Sequence, residues 1–214
     1  MESDSNLFSL WQLGCLVFIV IEIIVICMIE DNLRQPCWND TDWLYVQVLS
    51  SAIESVRPKY VREFIGKRKF HLERVFSYEL YYKWQRLLTH KKNNPEKLML
   101  NAELTKHYDK LNRYKFPDLV LHGNYANREK QYLICEIKSS RNQIKGNALK
   151  KDVESLYGGV IELGYHCGIF IYLGSKVTNI VSRIRNVLHD FANYEEGRYL
   201  FIGVNGIAPH YEIL

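Results

Sequence analysis

No lysine or arginine precedes Arg34 in this 214-residue sequence. A secretory signal begins with a basic segment, so this absence argues against such a signal at the amino terminus. Internal repeats and low-complexity segments are also missing, which excludes a repeat architecture. These absences leave an ordinary folded chain, with one unusual segment near its start.

Metal and disulfide motifs are missing among the five cysteines. Their number is odd, and no two of them form a C-x-x-C pair: Cys15, Cys27, Cys37, Cys135 and Cys167. This spacing argues against a zinc site and against a disulfide framework. It favours small buried hydrophobic side chains in a protein of a reducing compartment.

Charge of one sign is not strongly in excess. The net charge is +4 and the pI is about 8.7, which permits contact with a polyanion but equally describes an ordinary basic domain. With 47% hydrophobic residues, the chain can bury one sizeable core. We therefore expect one domain, spanning 34–214, behind a separate hydrophobic segment at 1–33.

Residues 13–29 are apolar except for Glu22, and their length is near the lower limit for a helix that crosses a bilayer. The basic residues after this segment would place 34–214 in the cytoplasm as the body of a single-pass membrane protein. Glu22 opposes insertion by roughly 2.5–3.5 kcal/mol, which the surrounding aliphatic residues offset. Two alternatives remain open: a buried or interface helix, and translation from Met28, which would give a cytoplasmic protein.

Hydrophobic periodicity predicts alternating helices and strands in the rest of the chain. The predicted helices span 43–56, 70–88, 147–163 and 177–191. The predicted strands span 97–106, 119–122, 132–138, 168–173 and 199–204, with 210–214 as an edge partner. This order is typical of an α/β fold in which helices cover a mixed sheet, here with an N-terminal hydrophobic helix added.

Two of the predicted strands carry the chemistry. Glu136 and Lys138 are two residues apart in an apolar run, so their side chains point to the same face of a strand. Asp118 precedes the neighbouring run, and pairing it with Glu136 centres a hairpin on Asn127 in a polar loop. Two carboxylates and an amine together suit metal-assisted phosphodiester hydrolysis. The ordinary alternatives are a turn residue after Pro117 and a solvent-facing ion pair on an edge strand.

With these residues the sequence resembles the PD-(D/E)XK nuclease superfamily, whose motif is matched by Pro117-Asp118 and by Glu136-Ile137-Lys138. The resemblance extends over about 70–173 and implies a restriction-endonuclease-like fold. It implies that Asp118, Glu136 and the backbone carbonyl of Ile137 bind Mg²⁺, with Mn²⁺ as a substitute. Lys138 would then orient or help deprotonate the attacking water and offset charge on the phosphate.

The family often adds an acidic residue from the helix before the motif. Glu73 and Glu79 both lie on that predicted helix, and their separation turns them about 240° apart, so they cannot share a face. The Glu73-Arg74 pair resembles the family more closely, and we therefore assign Glu73 to the catalytic set. Surface charge is the alternative for either residue.

Basic and aromatic side chains flank the motif. A solvated helix face is the commoner explanation for a pair such as Lys150 and Lys151. The candidates for contact with DNA phosphates lie after the second motif strand: Arg141, Lys145, Lys150 and Lys151. The helix before the motif carries Tyr78, Tyr81, Tyr82 and Trp84, for stacking on nucleic acid or for core packing.

The sequence thus predicts a metal-dependent nuclease that acts on DNA. Two alternatives stay open: a catalytically weak or inactive nucleic-acid-binding or regulatory module of the same fold, and a membrane-tethered interaction protein with an accidental motif match.

Overall fold

The computed structural model describes residues 38–61, 63–65, 68–70, 73–102, 117–123, 128–139, 147–174, 177–204 and 209–214. All of them belong to one compact unit that spans Pro36–Leu214. The hydrophobic segment predicted at 13–29 lies outside the described residues. Within the described part of the chain, no helix has the length and apolar character needed to cross a bilayer.

Helices and strands alternate along the described chain much as the hydrophobic pattern predicts. The helices are α1 (Asp40–Glu54), α2 (Pro58–Val61), α3 (Glu73–Leu88), α4 (Asn147–Ile161) and α5 (Val177–His189). The strands are β1 (Glu63–Ile65), β2 (Arg68–Phe70), β3 (Met99–Ala102), β4 (Leu119–His122), β5 (Gln131–Lys138), β6 (Cys167–Leu173), β7 (Tyr199–Val204) and β8 (Pro209–Ile213). The small β1–β2 hairpin was not predicted, because three-residue strands carry too little periodicity to be recognised.

Six of these strands form one mixed sheet in the order β3-β4-β5-β6-β7-β8. Strands β3, β4 and β5 are antiparallel, β5, β6 and β7 are parallel, and β8 returns antiparallel to β7. The prediction of a mixed sheet with helices on its faces is therefore confirmed, including the edge strand at the carboxyl end.

The sheet separates two hydrophobic cores. One core joins α1 and α3 to one face of the sheet, and the other joins α4 and α5 to the opposite face. From Leu133 onward the side chains of β5 alternate between the two cores: Leu133, Cys135 and Ile137 belong to the first, and Ile134 belongs to the second. Glu136 and Lys138 continue the Ile134 series and therefore face α4 and α5.

The β4–β5 hairpin has the register that the sequence predicts. Leu119 pairs with Cys135 and Val120 with Ile134, and the ladder shifts only at a bulge near His122. One position beyond the Leu119–Cys135 pair, the same register places Asp118 beside Glu136. The hairpin thus brings the two motif carboxylates to one end of the sheet.

Candidate active site

Asp118 lies where β4 begins, and its carboxylate is tied to the neighbouring strand. The β4–β5 ladder starts at the Leu119–Cys135 pair, so the Ile137 N–H lies beyond it. Asp118 Oδ2 accepts a hydrogen bond from this N–H at 2.6 Å. Because buried backbone donors need a partner, this contact both satisfies Ile137 and fixes the carboxylate at the end of the sheet.

Glu136 and Lys138 lie in the interior of the sheet rather than on an edge. Strand β5 is flanked by β4 and β6, and the Glu136 residue is only 4% exposed. Lys138 Nζ lies 3.7 Å from Glu136 Oε2 and 3.5 Å from Asp152 Oδ1. The alternative of a solvent-facing pair on an edge strand was therefore wrong.

Glu73 reaches the same end of β5 from the opposite side of the sheet. It is the first residue of α3, and its Oε2 accepts hydrogen bonds from the Ser139 N–H at 2.9 Å and from the Ser139 hydroxyl at 3.1 Å. Glu79 instead forms an ion pair with Lys83 at 3.6 Å within α3. Of the two helix glutamates, Glu73 is the one that contacts the end of β5.

Burial dominates the electrostatics of the motif carboxylates. It raises the pKa of Asp118 to about 6, an effect that Lys138 and the Ile137 N–H partly oppose. Burial also raises the pKa of Glu136 well above its usual value, and repulsion from Asp118 adds to this. Removing charged groups from water is costly unless they are compensated, and here the compensation is incomplete.

Lys138 is the cation within this acidic group. Burial alone would lower its pKa, but the surrounding carboxylates, with Glu136 and Asp118 the strongest, raise its pKa above the usual value. Asp152 and Glu73 act in the same direction. Four acidic side chains thus act on one ammonium among the described residues here.

Sequence reasoning missed three polar residues at this end of β5. Asp152 and Ser155 lie on α4, where Asp152 pairs with Lys138 and Ser155 forms a side-chain hydrogen bond with Glu136. Ser139, which follows β5 directly, is the partner of Glu73. Residues three apart on a helix share a face, so the Asp152–Ser155 spacing was a usable signal.

The predicted phosphate-contacting residues are only partly described. Lys150 and Lys151 are exposed on α4, and α4 also contributes Asp152 and Ser155. Arg141 and Lys145 lie outside the described residues. The exposure of Lys150 and Lys151 is compatible with phosphate contact and with a solvated helix face.

The donor set is suited to a hard cation. Across the described ranges, no three His, Cys, Asp or Glu side chains are grouped so that they could hold a metal ion. The expected ligand set does not require three, because Mg²⁺ is commonly held by one or two carboxylates and retains several waters. Asp118, Glu136 and the Ile137 carbonyl offer only oxygen, and among the described side chains here acidic groups outnumber basic ones.

Comparisons with known proteins add little to this description. No protein-family model and no curated protein matches the chain. Among solved structures, SfsA of Pyrococcus furiosus in complex with Ca²⁺ is similar at 11% identity and a TM-score of 0.30, over 71% of this chain and 73% of that chain. A likeness this weak implies neither a shared fold nor a shared activity.

Proposed function

We propose that this chain is a metal-dependent nuclease of the PD-(D/E)XK type that hydrolyses phosphodiester bonds in DNA, on a restriction-endonuclease-like sheet. One observation carries the proposal: Asp118, Glu136 and Lys138 converge at one end of β5, where Glu136 is buried with an ion-paired lysine. Burying carboxylates beside one another destabilises the fold. Such an arrangement is typical of a site maintained for chemistry.

Asp118, Glu136 and the Ile137 carbonyl would hold Mg²⁺ or Mn²⁺. When bound, the ion would supply Lewis acidity toward the phosphate and acidify a water. The protein itself orients these ligands, because the Ile137 N–H holds the Asp118 carboxylate. Ser155 forms a hydrogen bond with Glu136 from the helix side.

Lys138 would supply positive charge at the phosphate. It is held between Glu136 and Asp152 as an ion-paired ammonium, and an ammonium donates hydrogen bonds but cannot accept a proton. This supports the charge-offsetting and water-orienting role over that of a general base. Asp152 then acts through Lys138 as a positioning residue.

A second candidate function is a nucleic-acid-binding or regulatory module with little or no activity. The observation that favours it is the engagement of the motif carboxylates within the protein. Glu136 faces Lys138, and Asp118 Oδ2 accepts from Ile137. A cation would have to compete with these contacts for the carboxylates. If the cation bound too weakly to displace them, the site would be inactive.

The decisive experiment uses the full chain with supercoiled plasmid and single-stranded DNA in the presence of Mg²⁺ or Mn²⁺. Asp118→Asn and Lys138→Gln should each abolish cleavage, whereas Glu79→Gln, a carboxylate of α3 paired with Lys83, should cleave as the parent does. Cleavage that persists in both motif variants would exclude this site. DNA binding without cleavage by the parent would favour the second candidate, and neither binding nor cleavage would favour the membrane-tethered interaction protein.

A further inference from the structure

Helix α3 exposes an aromatic face that the proposed chemistry does not use. Val75, Tyr78, Tyr82 and Arg86 follow one another at spacings of three or four residues, so they lie on one side of the helix. Val75 is 39% exposed, Tyr78 56% and Tyr82 53%. We call these four residues the tyrosine face. The opposite side of α3 is the buried one: Phe76, Leu80 and Trp84.

Positive charge accompanies the tyrosine face. Lys83 Nζ lies 5.8 Å and Arg86 Cζ 5.9 Å from the centroid of the Tyr82 ring. The helix is followed by exposed Lys91 and Lys92. Of the two carboxylates of α3, Glu73 contacts Ser139 at the end of β5, and Glu79 pairs with Lys83 beside the tyrosine face. An aromatic surface bordered by cations is suited to stacked bases and to the phosphates between them.

The position of the tyrosine face relative to the candidate site favours a flexible strand. Tyr78 and Tyr82 follow Glu73 by five and nine residues, which turns them about 140° and about 180° around the helix from it. A ligand that reaches both the end of β5 and this face must pass around a helix roughly 10–12 Å in diameter. Duplex DNA is too stiff to do so, since its persistence length is about 150 base pairs.

We infer that the tyrosine face binds unpaired nucleotides of a DNA strand, by stacking on Tyr78 and Tyr82 and by phosphate contact with Arg86. The inference deepens the proposed nuclease function, on which it rests, by naming a substrate with a single-stranded segment. The alternative occupants of such a face are a lipid surface and a second copy of the chain. Val75 is the one aliphatic residue of the tyrosine face. Helices that bind a membrane surface instead present several large apolar residues.

The test measures fluorescence anisotropy of a labelled 15-nucleotide strand and of the matching duplex. Full-length protein with Asp118→Asn is used in EDTA, so that no cleavage occurs. Adding Tyr78→Ala and Tyr82→Ala should weaken single-strand binding at least about tenfold. The matched variant with Tyr78→Phe and Tyr82→Phe should bind within about twofold, because it keeps both rings. Arg86→Gln should reduce the salt dependence by about 0.7 in the slope of log K against log salt.

Unchanged single-strand binding in the alanine variant would overturn the inference, as would equal weakening in the phenylalanine variant. The inference would also be overturned if the alanine variant bound the oligonucleotide normally but lost binding to phosphatidylserine vesicles. The same holds if it bound the oligonucleotide normally but changed from dimer to monomer. Cleavage by the parent chain together with unchanged binding in the alanine variant rejects the tyrosine face alone. Tyrosine-dependent binding without cleavage by the parent rejects the nuclease function and leaves the tyrosine face as a binding surface.

Discussion

Asp118 is partly buried beside the buried Glu136, and each carboxyl group holds a proton more tightly than it would in an unfolded chain. Linkage turns this into a cost for folding at neutral pH, because the folded state must then carry the charges that burial disfavours. Proteins retain such residues where activity outweighs stability. At the scale of single residues, the site should therefore behave as a source of instability that divalent cations or neutral substitutions relieve.

We predict that Asp118→Asn stabilises the protein at neutral pH in EDTA. The pKa of Asp118 is raised from 3.8 to about 6. The protonated carboxyl group therefore adds to the free energy of unfolding fully below about pH 4, and this contribution is lost as the pH rises through about 6. An asparagine keeps the oxygen that accepts from Ile137 and carries no charge. At pH 7.5 we expect a gain on the order of 2 kcal/mol in urea denaturation, and little gain at pH 4. An equal difference at both pH values would contradict this assignment.

Glu73 and Glu79 offer a matched comparison on one helix. Glu73→Gln weakens two hydrogen bonds to Ser139 at the end of β5, and we expect plasmid cleavage to slow by about 10–100-fold, as for residues that orient metal ligands. Glu79→Gln removes a partly exposed ion pair with Lys83 within one helix, which contributes little, and cleavage should stay within about twofold. Similar rates for the two variants would show that Glu73 has no role beyond that of a surface charge.

At the scale of elements, α4 matters because it carries Asp152 and Ser155 against β5. Gly159 allows this approach, since a Cβ there would overlap the side chain of Ile134, a fully buried residue two positions before Glu136. Gly158, the adjacent position, has only the Glu162 carboxyl group nearby, at 3.8 Å from a Cβ. The two glycines therefore differ in packing while sharing the same helix.

Gly159→Ala should destabilise the protein and Gly158→Ala should stabilise it. For Gly159→Ala, overpacking typically lowers the free energy of unfolding by about 1–3 kcal/mol, and the higher helix propensity of alanine offsets up to about 1 kcal/mol of this. Gly158→Ala gains the propensity without the overlap, so we expect about 0.5–1 kcal/mol of added stability. Urea denaturation measures both. Stabilisation by both substitutions would mean that α4 is free to move away from β5.

Elements were predictable where their hydrophobic period was long and clear. Strand β7 was predicted with its observed bounds at 199–204, and α5 was predicted from its single apolar stripe, although it ends at His189 rather than 191. The β4–β5 register followed from one assumption about the hairpin centre. The β1–β2 hairpin was missed because its strands have three residues each, and no hydrophobic period can be recognised in so short a segment.

The geometry of the candidate site was predictable only along β4 and β5. Local spacing defines which residues share a strand face and which residues pair across a hairpin. These two rules placed Asp118, Glu136 and Lys138 together. It does not specify which turn of a distant helix packs over that face, so Asp152 and Ser155 were missed. Glu73 was distinguished from Glu79 by resemblance to a family motif, and the contact with Ser139 that separates them depends on tertiary packing across 66 residues of sequence.

At the scale of the whole molecule, the excess of carboxylates at the end of β5 should couple metal binding to stability. We expect 10 mM Mg²⁺ to raise the melting temperature of the parent protein. A dissociation constant of about 1 mM would correspond to about 1.4 kcal/mol of stabilisation. Asp118→Asn and Glu136→Gln should each abolish most of this shift, and Glu79→Gln should retain it. A shift of equal size in all four proteins, measured by thermal denaturation at constant ionic strength, would point to nonspecific screening.

The contact between Glu73 and Ser139 joins the start of α3 to the end of β5, and α4 follows only from Asn147. On a ribosome, therefore, a growing chain that has exposed α3, β4 and β5 still lacks the helix that holds Lys138 and Glu136 in place. The complete constellation can form only after the segment through Ser155 has emerged from the exit tunnel. If the chain cuts DNA, a copy truncated before Asn147 would carry Asp118, Glu136 and Lys138 without the helix and the strand that pack against β5. We expect such a copy to be inactive.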